Sequence, residues 1–223
     1  MKIIVTGFPP FLKVRRNPSE ILVRRLAAEN WTPRPDCSVL YDILPIDYEQ
    51  ARARIASFFE ETVPPDVIVH TGLAVKSSAI HLERRAKNLV FPKDPQSHAR
   101  YAEDKKESCG DVVKEGEAFM HATLPLEKIA NAFLDNAIPH AFSDDAGTYL
   151  CNFAFYTTAH EIRRRGLQTL SGFIHLPFTT AEADILHDCD AELTAEYLPS
   201  PQTLERGLKL ILHICAEAVA GRA

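Results

Sequence analysis

The stretch Val67 to Ala74, "VIVHTGLA", decides the fold. Its β-branched, almost uninterrupted apolar start follows the turn "PPD" (Pro64 to Asp66). A short run with no polar alternation suits a strand covered on both faces, as in a parallel sheet. Working towards the N-terminus, "DYEQARARIASFFEE" (47–61) reads as a helix, with Asp47 as cap and Gln50 at the third helical position. Ile55, Phe58 and Phe59 supply its buried side. Before it, "SVLYDILPI" (38–46) reads as a strand and "NPSEILVRRLAAEN" (17–30) as a helix over about Pro18 to Glu29. There Asn17 caps, Pro18 takes the first helical position, Glu20 completes a variant capping box, and Ile21, Leu22 and Leu26 are expected to face the sheet. The opening "KIIVTGF" (2–8) is a buried first strand ending in a loop. Strand, helix, strand, helix, strand is the signature of a doubly wound α/β fold.

Beyond Ala74 the alternation breaks and then resumes. Residues 93–116, "KDPQSHARYAEDKKESCGDVVKEG", are polar with neither period, and read as a long functional loop. Then come a strand "AFMHATL" (118–124), a helix "PLEKIANAFLDNA" (125–137), a strand "IPHAFS" (138–143), a helix after Tyr149 and a strand "LSGFIHLPF" (170–178). An acidic loop leads to a closing helix begun by Ser200 and Pro201, striped by Leu204, Leu208, Ile211, Leu212 and Cys215. No repeat or linker divides the 223 residues, so one domain over 1–223 is expected.

With 46% apolar and 25% charged residues and a net charge of -5, the composition is that of an ordinary soluble protein and disfavours nucleic acid as a partner. No apolar run approaches the roughly 20 residues that span a bilayer, and "MKIIVTGFPPF" lacks a signal peptide's apolar core, so a cytoplasmic location is expected. The five cysteines, Cys37, Cys109, Cys151, Cys189 and Cys215, form neither a disulfide framework nor a zinc-ribbon spacing. "HDC" (187–189) offers two metal ligands without a second close pair, and no metal is expected.

Cys151 begins an amphipathic run after the turn-rich "SDDAG" (143–147). A thiol in the first turn of a helix meets unpaired N–H groups and the positive dipole end, which favour the reactive thiolate. Taken alone, the position suits a small buried core residue better, because free cysteine is among the most buried residue types and the run is apolar. His175, near the C-terminal end of a predicted strand closed by Pro177, points to the edge where open α/β sheets carry their sites. Taken alone it is also a satisfied strand-end histidine, and His70 competes with it. His81 and the remaining histidines have no distinctive setting. Glu83, in "AIHLERRAKN" (79–88), is either an imidazole-orienting acid or a surface ion-pair partner.

Together, "VTGFPPF" with "NPSE", "HTGLA", "ERRAKN", "AGTYLCN" and "SGFIHLPF" resemble, in order, the motifs of the pyroglutamyl peptidase I family of cysteine peptidases. The resemblance runs over nearly the whole chain. It implies one three-layer α/β/α domain with a twisted, mixed, mostly parallel sheet. It makes Cys151 the nucleophile, His175 the general base and then acid, and Glu83 the residue that orients His175. Phe8 and Phe11 match the phenylalanines that hold a pyroglutamyl ring, and Asn17 falls in the same substrate loop. The implied reaction releases pyroglutamate from peptides with a blocked N-terminus through a thioester, without cofactor, in a homodimer or homotetramer.

The chain departs from the family pattern on the substrate side. Pro9 stands for an acid, Leu12 and Lys13 for a Gly-Gly pair, and Val75, Lys76 and Ser77 for a small, Gly-rich stretch ending in arginine. Lys93 stands near another arginine position, and lysine cannot reproduce arginine's planar fork. Altered N-terminal specificity is one expectation from these changes, and a drifted, noncatalytic binding protein is the other. An unrelated α/β transferase finds no phosphate loop in "TGLAVKS".

Overall fold

A computed structural model describes residues 1–91, 110–189 and 193–222. Eight strands and five longer helices follow in the order β1 (Lys2–Gly7), α1 (Pro18–Ala28), β2 (Ser38–Ile43), α2 (Tyr48–Ser57), β3 (Val67–Leu73), β4 (Ile80–Glu83), β5 (Arg85–Lys87), β6 (Phe119–His121), α3 (Leu126–Asp135), β7 (His140–Ser143), α4 (Leu150–Arg164), β8 (Leu170–Leu176) and α5 (Pro201–Ala220). The main sheet has the order β2-β1-β3-β8-β4-β7. β2, β1, β3 and β8 are mutually parallel, while β4 runs antiparallel to β8 and parallel to β7. This is the mixed, mostly parallel sheet that was expected.

The local signals for the helix starts hold. Asn17 Oδ1 accepts from Ser19 N, Asp47 Oδ1 from Gln50 N, and Ser200 Oγ from Thr203 N. Each satisfies an orphan donor of its first turn, worth typically about 1 kcal/mol. Every residue of β3 and of β8 is buried, because helices cover both faces. On one face Leu22, Val23, Leu26, Ile129, Phe133, Leu208 and Ile211 of α1, α3 and α5 pack on Val67, Val69, Leu82 and Ile174. On the other, Ile55 of α2 and Phe153, Ala154 and Tyr156 of α4 pack on Ile4, Ile68 and Phe173.

Three details differ from expectation. Ile21 is 45% exposed, and the stripe of α1 that meets the sheet is Leu22, Val23 and Leu26, one position further round the helix. The strand expected over 118–124 shortens to Phe119–His121 and pairs with β5 in a separate two-stranded ribbon, outside the main sheet. Finally, "IHLERRAK" forms two strands, β4 and β5, where the sequence shows only a charged motif. Of the long loop expected over 93–116, residues 93–109 lie outside the described residues, Lys93 among them.

His70 is a core histidine. Its Nδ1 lies 2.7 Å from Thr6 Oγ1 and its Nε2 2.7 Å from Thr158 Oγ1, with no solvent exposure. Burial pushes its pKa down to about 3. The folded state therefore keeps His70 neutral, while the unfolded chain takes up a proton below its ordinary value of 6.5. This group's contribution to stability is complete above pH 6.5 and declines as pH falls towards 3. We expect denaturant titrations to show stability falling with acidification at up to about 1.4 kcal/mol per pH unit from this group. H70Q should have a shallower pH slope in that window, and an unchanged slope would contradict the assignment.

Candidate active site

The parallel strands β1, β3 and β8 end at one edge of the sheet, and at that edge a row of residues crosses three strands. Gly72 of β3 is the Cα partner of His175 of β8, which is in turn the partner of His81 of β4. Paired residues turn their side chains to the same face, so this row and its two-residue neighbours, Phe173 and Glu83, lie beneath α4. The antiparallel entry of β4 brings Glu83 opposite Phe173, one diagonal step from His175.

His175 Nδ1 donates to Glu83 Oε1 at 2.7 Å. A carboxylate only accepts, so Nδ1 carries a proton and Nε2 faces away from Glu83, towards Cys151. Glu83 is wholly buried, and its other oxygen, Oε2, has no hydrogen-bond partner among the described residues. His175 is 8% exposed, with the Phe173 ring centroid 4.7 Å from its own. Burial alone would drive the ring towards its neutral form. The charge and hydrogen bond of Cys151, followed by those of Glu83, outweigh burial and push the His175 pKa up to about 10.

Cys151 is the second residue of α4 and is partly exposed. The cap residue Tyr149 makes no side-chain cap bond, so the first-turn N–H groups of α4 are not taken up by a cap as those of α1, α2 and α5 are. Gly72 makes the room the sulfur needs. A Cβ built there would lie 2.9 Å from Cys151 Sγ and 2.7 Å from Phe173 Cζ. The structure thus brings Cys151, His175 and Glu83 together in the order thiol, imidazole, carboxylate, an arrangement capable of nucleophilic acyl transfer.

The loop after β1 is built around Asn17. Its Oδ1 accepts from Ser19 N at 3.1 Å and Ser19 Oγ at 2.9 Å, and its Nδ2 donates to the Pro9 carbonyl at 3.1 Å. Ser19 Oγ in turn accepts from Phe8 N at 3.0 Å. The buried Asn17 amide is therefore occupied in fixing the loop. Phe8 is buried with its ring stacked 6.5 Å from Phe173, whereas Phe11 reaches the surface 6.4 Å from the Tyr149 ring at the start of α4. Phe11 and Val14 exchange backbone hydrogen bonds of 3.2 and 2.8 Å. Between them Leu12 takes a φ of 49°. That left-handed backbone suits glycine and costs a branched residue roughly 1–2 kcal/mol. Arg15 and Arg16 tie the loop to Asp188 and Asp184 in the segment that follows β8.

Two amides that the sequence reading passed over join the site's supports. Asn152, fully buried beside Cys151, accepts from Lys87 N at 2.8 Å and donates to the carbonyls of Lys87 and Leu89. Asn88 accepts from Val113 N at 2.9 Å and donates to the Val113 carbonyl at 2.8 Å. Both sit inside quoted motifs, but an amide's structural task shows only when its partners are known. His81, which had no distinctive setting in the sequence, lies next to His175. Ser77, which takes the arginine position of the family pattern, has its Oγ 2.8 Å from His81 Nε2. Among the described residues no group of three or more His, Cys, Asp or Glu is arranged to hold a metal, and "HDC" forms a short 3-10 turn.

The model of the pyroglutamyl peptidase family matches residues 1–199. The pyrrolidone-carboxylate peptidase of Pyrococcus furiosus is 33% identical over 178 residues, covering 80% of this chain and 81% of the relative. That of Thermococcus onnurineus is 36% identical over 185 residues, covering 82% and 86%. The crystal structure of pyrrolidone carboxyl peptidase from Pyrococcus furiosus matches with a TM-score of 0.84 at 28% identity, over 98% of this chain and 100% of that one.

Two expectations follow from the geometry. His175 binds its proton more tightly folded than unfolded, so its contribution to stability is complete below pH 6.5 and is lost as pH rises through about 10. In E83Q the loss should begin at lower pH, read by denaturant unfolding across the alkaline range. An alkaline profile identical to that of the parent would remove Glu83 from the account. G72A should slow iodoacetamide labelling of Cys151 by about tenfold, since small misplacements at a reacting atom cost rates of that order. Labelling at the parent rate would show that the sulfur does not depend on the gap.

Proposed function

This chain belongs to the pyroglutamyl peptidase family, and from that premise we propose that it is a cysteine peptidase releasing N-terminal pyroglutamate through a thioester on Cys151. The observation that carries the reading is the bond from His175 Nδ1 to Glu83 Oε1, which leaves the other imidazole nitrogen to Cys151.

In this reading the Cys151 thiol gives its proton to His175 Nε2, and the resulting Sγ thiolate attacks the pyroglutamyl carbonyl carbon. First-turn N–H groups of α4 receive the developing oxyanion, aided by the positive end of the helix dipole. His175 Nε2 gives its proton to the departing amine nitrogen as the C–N bond breaks, leaving a thioester and a free peptide N-terminus. Water then attacks the thioester carbonyl while Nε2 takes its proton, the C–S bond breaks, and pyroglutamate leaves. Glu83 holds one tautomer throughout and stabilises the imidazolium. No step calls for a cofactor.

Phe11, half-buried beside the start of α4, is the aromatic residue offered to a planar lactam, with buried Phe8 supporting the wall behind it. Asn17 acts by fixing this loop. Pro9, Leu12, Lys13, Val75, Lys76, Ser77 and Lys93 are the positions at which acyl-group preference is expected to differ from that of relatives. The reading takes residues 1–223 as one peptidase domain, supported by α1 and α5 from the two ends of the chain packing on one face of the sheet. A cytoplasmic location and a homodimer or homotetramer accompany the reading but are not required by the chemistry.

The test is release of a fluorophore from a pyroglutamyl amide. Turnover is expected in the parent chain and should fall at least about ten-thousand-fold in C151A, the scale seen when a nucleophile is removed. Absence of turnover on that substrate and on other lactam-capped or N-acyl amides would reject the peptidase reading in favour of a noncatalytic binding role.

A further inference from the structure

The site holds a titratable group that the proposed chemistry does not use. His81 stands directly across from His175 in the β4–β8 pairing, and two residues before Glu83 on the same face of the same strand. Its Nε2 lies 2.8 Å from Ser77 Oγ. Ser77 in turn closes the turn after β3: its N–H donates to the Ala74 carbonyl at 3.1 Å and its Oγ accepts from Ala79 N at 3.0 Å. The Ser77–His81 bond therefore ties the end of β3, where Gly72 makes room for Cys151, to the strand that carries Glu83.

We propose that His81 is a positioning residue of this site: propped by Ser77, it holds β4 at the register from which Glu83 reaches His175, and its neutral ring leaves the Glu83 carboxylate to His175 alone. This rests on the peptidase reading for its importance to turnover, though not for its effect on the Glu83–His175 pair.

The chemistry follows from which groups surround the ring. Glu83 on its own strand and His175 on β8 are the charged groups acting on it. Cys151 of α4 stands beyond His175, while β7 presents uncharged Ala141 and the preceding turn presents Ser77. Burial, opposed by Glu83 and assisted by His175, holds the His81 pKa below its ordinary 6.5, so the ring is neutral at neutral pH. Once protonated, it becomes a second cation beside a buried carboxylate whose Oε2 has no partner among the described residues. That cation draws Glu83 away from His175 and repels the imidazolium that Cys151 requires. Acid should therefore weaken the site through His81.

The experiment compares the parent chain, H81Q and S77A by two readouts across mildly acidic to neutral pH: kcat/KM on a pyroglutamyl amide, and the rate of Cys151 alkylation by iodoacetamide. H81Q is expected to lose about tenfold in kcat near neutral pH with KM little changed, the cost of a small misplacement. Its decline on the acid side should move to lower pH than in the parent. S77A removes the prop but keeps the titrating ring, so it should lose activity and retain the parent's acid decline. A uniform loss in H81Q at every pH, with the acid decline unmoved, would mean that the role is only structural and would overturn the proposal. So would full activity in both variants. If no protein turns over the substrate, the peptidase reading fails while alkylation still decides the role of His81. Should H81Q not fold, ring-proton NMR of the parent replaces it: His175 resonances that move as His81 titrates support the coupling, and His175 resonances that ignore it refute it.

Discussion

The bond between Glu83 and His175 constrains everything around it. A carboxylate with no solvent and one hydrogen-bonded partner is tolerable in a protein interior only if the partner carries compensating charge. His175 can carry that charge because Cys151 sits on its other side, and Cys151 can sit there because Gly72 lacks a side chain. Each member is thus placed by the electrostatic or steric need of the next. The chain of dependence crosses β4, β8, α4 and β3 within a few ångströms.

The elements around this core are held by polar groups that are used to near capacity. Asn152 fixes the segment 87–89 against α4 with three hydrogen bonds, and Asn17 welds the loop after β1 to the start of α1. Such amides rigidify a site because leaving any of them unpaired costs more than the bond gains. Leu12 shows the same rigidity from the backbone side. The turn keeps a left-handed shape although leucine disfavours it, because the reciprocal bonds of Phe11 and Val14 set its path.

Much of this was legible in the sequence, for local reasons. β1, β3 and β8 are buried on both faces and so read as apolar runs, and the caps Asn17, Asp47 and Ser200 announce their helices. Cys151, Glu83 and His175 emerged from motif resemblance and come together in space. What escaped was set by pairing rather than by local sequence. β4 is short and charged, and becomes a strand because β7 and β8 flank it. The importance of His81 depends on register, which no periodicity in "AIHLERRAKN" reveals. Ile21 fails as a core residue because a one-position error in helical phase turns a side chain through about 100°.

The alternation of β4 has a further meaning. Its even-face residues Ile80 and Leu82 belong to the apolar packing of α1, α3 and α5, while His81 and Glu83 face α4 and the chemistry. The strand is a partition, with stability built on one side and reactivity on the other. An insertion or deletion of one residue in the turn before it would exchange the two, sending a carboxylate into a hydrocarbon layer and leucine into the reaction centre. The turn from Ala74 to Ala79 can therefore vary in composition at Val75 and Lys76, while Ser77 is held to its hydroxyl by His81 and the length of the turn is fixed by the parity of the strand it feeds.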